Sequence, residues 1–149
     1  MFVGIGLGLG LAGGHPARPQ RRLALNEPPA SSDGTTITSA AVDAITFATT
    51  GSARKVLAWP VTVFAGDVIR FEITVTRTTY IRFDDAPDLN APGIVDIVSG
   101  AGLAPGSHSV EYIVTEAAAA RGYFGFVHAN GATAGNAEVR NFYMGSAAS

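Results

Sequence analysis

Residues 68–76 constrain this chain more than any other stretch, because Ile69, Phe71, Ile73 and Val75 alternate there with Arg70, Glu72, Thr74 and Thr76. Period two is the mark of an extended strand with one face in a core and the other in water. The pattern returns along the chain. Ile81 and Phe83 point inward between Tyr80 and Arg82, Val110, Tyr112 and Val114 share a face, and so do Phe124 and Phe126. Candidate strands are 35–39, 44–49, 55–64, 68–76, 79–84, 108–115, 121–128 and 138–144, separated by turn signals at Gly51-Ser52, Gly66-Asp67, 85–93, 100–106 and Asn130-Gly131. Many short strands with regular breaks predict an all-β fold, an antiparallel β-sandwich of the jelly-roll kind. The short Arg77-Thr78 link predicts a hairpin that brings Arg82 near Glu72. Only 116–121 (EAAAAR) looks helical, enough for a single turn between strands.

A single domain suits 149 residues, 47% of them hydrophobic, with 15% charged. Formal net charge is −2, with no basic excess to hold nucleic acid. With no cysteine, disulfides, thiolate zinc sites and cysteine nucleophiles are excluded.

Residues 1–34 differ from the rest. Phe2, Val3, Ile5, Leu7, Leu9 and Leu11 interleave with Gly4, Gly6, Gly8 and Gly10, giving one aliphatic face and one bare face. No Lys or Arg precedes the run, which argues against an export signal. The run is also shorter than the roughly 20 residues of a membrane helix. A docking strand, laid against a partner or a symmetric copy, is the expectation. Residues 15–34 carry Pro16, Pro19, Pro28 and Pro29 and read as an extended arm, with a basic cluster at Arg18, Arg21 and Arg22. The expected division is an anchoring strand and Pro-rich arm over 1–34 and a β-sandwich domain over 35–149.

Three stretches carry a family resemblance: residues 66–75 (GDVIRFEITV), 106–114 (GSHSVEYIV) and 137–144 (AEVRNFYM). Over about two thirds of the chain they resemble strands of the carbohydrate-binding-module-like jelly rolls of phage structural proteins. Arg140 stands where an Asp is common in that group. The apolar, Gly-rich head also resembles the start of some phage virion proteins. The resemblance implies a virion structural protein (a decoration, fibre or minor head, neck or tail component), located on the particle and forming a homo-oligomer, most simply a trimer. Its assembly anchor would be Phe2, Val3, Ile5, Leu7, Leu9, Leu11, Arg18, Arg21 and Arg22, and its partners other virion proteins, with no nucleic acid or membrane. The alternative is a carbohydrate-binding module or host-surface adhesin that takes up a surface glycan without catalysis.

No catalytic constellation has usable spacing, no cofactor fingerprint is present, and no enzyme activity is expected. Gly4-x-Gly6-x-x-x-Gly10 lacks the strand–turn–helix that a dinucleotide site needs. His108 and His128 lie at predicted strand ends and would need Asp84 or Glu111 as a third metal ligand; surface histidines are the plainer reading. The run DDAPDLN offers Asp84, Asp85 and Asp88 as a candidate calcium loop, against which Pro87 and Pro92 suggest a rigid turn. Sugar stacking needs exposed aromatics, and Trp59, Tyr80, Tyr112, Tyr123 and Tyr143 are available. Tyr80 with Arg82 makes the better candidate ligand platform. Trp59, inside the apolar run before Pro60, is a candidate for that platform or for the core.

Overall fold

A computed structural model describes residues 23–49, 54–98, 102–129 and 134–147. Nine strands follow in order: β1 (Thr35–Ala41), β2 (Ala44–Thr49), β3 (Lys55–Pro60), β4 (Val68–Val75), β5 (Thr79–Asp84), β6 (Val95–Asp96), β7 (Gly106–Ile113), β8 (Tyr123–His128) and β9 (Gly135–Gly145). One helical turn, α1 (Glu116–Ala119), precedes β8; the Thr115 hydroxyl caps it by accepting from the Ala118 amide at 3.1 Å. The strands form two antiparallel sheets, β1-β2-β9-β4-β7 and β3-β8-β5-β6. Set β1 aside and successive strands cross between the sheets at every connection but β5–β6, which is the jelly-roll arrangement. The expected fold class is therefore the observed one.

The inward faces of the two sheets meet in one aromatic core. Trp59, Phe47, Phe83, Phe124 and Phe126 are fully buried. Phe126 lies at its centre, with Trp59 edge-on at 6.2 Å, Phe71 edge-on at 6.0 Å and Phe47 at 5.8 Å. Edge-to-face contacts of this kind add to the area that the rings bury. β3 was expected to reach residue 64 but ends at Pro60, which has no amide to give the ladder. β6 lies just beyond the stretch expected to be only a turn, and two residues are too few to show a period.

The β4–β5 hairpin does not form. The strands lie in opposite sheets: Glu72 pairs with Arg140 of β9, and Arg82 with Asp96 beside β5. The crossing is held by Arg77, 6% exposed, whose Nε donates to Ala129 O at 2.7 Å, and by Thr79, which exchanges two backbone hydrogen bonds with Leu103. A strand with one apolar face satisfies its burial equally well beside a like strand or across from it.

Nor does residue 34 separate an arm from the body. Leu23 and Leu25 are buried in the core, and the Leu25 amide donates to Val42 O. Ala30 and Ser31 bond along the outer edge of β3 at Ala58, covering an edge that would otherwise be open. The packed unit thus takes in residues from Leu23 onward. The anchor residues Phe2, Val3, Ile5, Leu7, Leu9, Leu11, Arg18, Arg21 and Arg22 lie outside the described residues. No helix among the described residues is long and apolar enough to cross a membrane.

Candidate functional site

The expected platform divides between two faces. Tyr80 and Arg82 share the outer face of the four-stranded sheet, the Arg82 guanidinium lying 4.5 Å from the centre of the Tyr80 ring. That guanidinium is already committed, to Asp96 at 2.6 Å and to Leu89 O at 3.3 Å. Trp59 points the other way. It is 0% exposed and its Nε1 donates to Glu27 O at 2.9 Å, so it is a core residue and offers no face to a ligand. Loop 85–94 lies over this outer face. Leu89 is buried against Val56, Ala58 and Val127, and Arg54 donates to the carbonyls of Asp88 and Leu89.

The candidate calcium loop is a turn that uses its own carboxylates. Asp84 is buried, and its two oxygens accept from the amides of Asp85 and Ala91, each at 2.7 Å. Asp85 pairs with Arg121 at 2.9 Å, and Asp88 accepts from the Asn90 amide. Among the described residues no three His, Asp or Glu side chains gather as a metal set would. The histidines are apart: His108, on β7, bonds Ala104 O through Nε2, whereas His128, on β8, is 1% exposed and shares a hydrogen bond of 2.9 Å with the Thr49 hydroxyl. The surface reading fails for His128, whose inward phase puts it beside Phe47.

A more open polar site lies on the outer face of the five-stranded sheet. Alternation turns Arg70, Glu72 and Thr74 of β4 outward beside Ser107, Ser109 and Glu111 of β7 and Glu138 and Arg140 of β9. A groove of about 540 Å³ is lined there by Arg70, Phe71, Glu72, Ser109, Glu111 and Asn141. Its charges are unequally engaged. Arg140 is held by Glu72 at 3.2 Å and Glu138 at 3.6 Å. Arg70 is only loosely paired, 3.9 Å from Glu111, with side chains 52% and 66% exposed. Its guanidinium lies 5.1 Å from the centre of the Tyr143 ring, whose hydroxyl donates to Ser146 O at 2.6 Å.

Sequence alternation marked Arg70 and Glu72 as outward, and Tyr143 stood among the available aromatics. Their company with Glu111 depends on β7 pairing with β4, and with Asn141 on β9 entering between β2 and β4, neither of which anything local encodes.

The architecture thus defined is an antiparallel β-sandwich with a polar groove on one sheet. No family model matches the sequence, and no curated protein matches it. Solved structures of similar fold include carbohydrate-binding modules of family 29. One gives a TM-score of 0.59 at 14% identity over 87% of this chain and 91% of the module. A mutant family 29 module complexed with cellulohexaose gives 0.56 at 14%, over 87% and 92%. Another, complexed with mannohexaose, gives 0.56 at 11%, over 87% and 93%. At these identities the likeness is one of fold.

Proposed function

We propose that this chain is a glycan-binding module without catalytic activity, and that its site is the groove across β4, β7 and β9. The observation that carries the reading is the Arg70–Tyr143–Glu111 group. An aromatic ring and a loosely paired donor and acceptor stand together on an open face, in a fold shared with modules solved with hexasaccharides. Sugar hydroxyls both donate and accept, so a guanidinium and a carboxylate side by side suit them, and the pair is weak enough to part for a ligand. A glycosidase would need one carboxyl group kept protonated by an apolar pocket. Glu72, Glu111 and Glu138 are instead about half exposed or more and face arginines.

The test is calorimetric titration with cellohexaose and mannohexaose. An open groove with one ring at its edge should bind at least one of them with a Kd of about 0.1–1 mM. Tyr143→Ala and Arg70→Ala should each weaken binding about tenfold, while Tyr80→Ala on the opposite sheet leaves it unchanged. Binding lost with Tyr80 and kept without Tyr143 would move the site to the other sheet. No binding of any soluble or insoluble glycan would sink the reading.

The particle-anchored reading, with its homotrimer and virion partners, takes its anchor from residues 1–22, outside the described residues, whereas solved structures of similar fold include carbohydrate-binding modules; glycan binding is therefore put first. A host-surface adhesin would use the same groove.

A further inference from the structure

From Gly135 to Arg140, β9 alternates regularly: Gly135, Ala137 and Val139 are buried, and Asn136, Glu138 and Arg140 exposed. Continued unchanged, that phase would turn Tyr143 inward and leave Phe142 and Met144 in water. Instead Arg140 and Asn141 both face outward. On β4, Glu72 pairs with Arg140 and Arg70 with Tyr143, so β9 carries one residue more than β4 across this interval. This is a β-bulge, and Asn141 makes it with φ +57°, a left-handed conformation that asparagine tolerates better than most residues. Beyond it Phe142 and Met144 are buried, and Tyr143 emerges beside Arg70.

The bulge also lifts Asn141 into the groove wall. Among the described residues its carboxamide has no hydrogen-bond partner, and neither has the guanidinium of Arg70. A polar side chain that only shaped a turn would bond a neighbouring backbone amide, as Asp84 does with Asp85 and Asp88 with Asn90 here.

We propose that Asn141 is a specificity-determining residue of the groove: the bulge displays its carboxamide, two donors and an acceptor, beside Arg70, to read adjacent hydroxyls of a bound glycan. The inference rests on the glycan-binding reading and adds a residue to that site. It separates two roles of Asn141, the backbone bend and the side chain.

The experiment is titration of the full-length protein and three variants with cellohexaose and mannohexaose, with a melting curve for each. Asn141→Gly keeps the left-handed backbone without strain, so Tm should hold, while binding weakens roughly 3- to 10-fold as the carboxamide is lost. Asn141→Asp keeps the bend and removes both donors, and should change the preference between the two sugars. Asn141→Val strains the bend and should lose both Tm and affinity. Should Asn141→Gly bind both sugars as the wild type does while Tyr143→Ala does not, the groove stands and this inference falls. Wild-type protein that binds neither sugar overturns both readings together.

Discussion

His128 is a base enclosed by hydrocarbon and a cation. Burial, and then the charge of Arg77, lower its pKa from the ordinary 6.5 to about 4. Among the described residues its Nε2 has no hydrogen-bond partner, and Nδ1 meets Thr49. Between pH 6.5 and 4 the unfolded chain therefore binds a proton that the folded chain refuses. The stability held by neutral His128 is full above pH 6.5 and is lost as pH falls toward 4, on the order of 2–3 kcal/mol. His128→Gln, which keeps a polar partner for Thr49 and cannot titrate, should lose less stability than wild type between pH 7 and pH 4.5. Urea midpoints at the two pH values measure this, and equal losses would assign the acid sensitivity to other groups. The sequence placed His128 at a strand end. That it faces the core follows from the phase it shares with Phe124 and Phe126, which was legible, and from the closing of β2 and β9 over it, which was not.

At the scale of elements, the segment before β1 matters most. Leu25 is 0% exposed, the Trp59 indole donates to Glu27 O, and residues 30–33 bond the edge of β3. Removing a leucine side chain from such a site costs about 2–4 kcal/mol, so Leu25→Ala should lower Tm by about 10 °C. A chain starting at residue 31 should lose more, whereas one starting at residue 23 keeps every contact named here. A 31–149 chain that melted like the full protein would show the segment to be dispensable. Strand positions were legible because period two and turn residues are local signals: seven of the eight expected strands differ from those observed by three residues or fewer at each end, and β3 alone stops four residues early. The hairpin expectation failed at Arg77, where a short link serves a turn within a sheet or a step between sheets. The bulge at Asn141 left no trace of its own, since Arg140-Asn141 reads as two polar residues in an otherwise alternating strand.

For the whole molecule, the surface argues about assembly. Among the described residues only Val42 and Ile113 are large exposed hydrophobics, at 55% and 56%. They lie apart in the sheet order, in the β1–β2 turn and at the end of the edge strand β7, so they do not join into a patch of the size that interfaces bury. A chain of residues 23–149 should run as a monomer in light scattering at micromolar concentration. An oligomer of that chain would place the interface on the sandwich itself, whereas one formed only by the full chain would assign it to residues 1–22.

Alone, the sequence determined that this protein is built from short antiparallel strands, each with one apolar face, because alternation is a property of neighbours along the chain. It also determined that Arg70, Glu72 and Glu111 face water. Which strands lie side by side was decided only in the folded molecule, since pairing β9 with β4 joins residues almost 70 positions apart through contacts that no window of sequence contains. Trp59 became a core residue because the sheets closed around Phe126 on its side of β3, and Tyr143 a surface one because the bulge at Asn141 shifted the phase of β9.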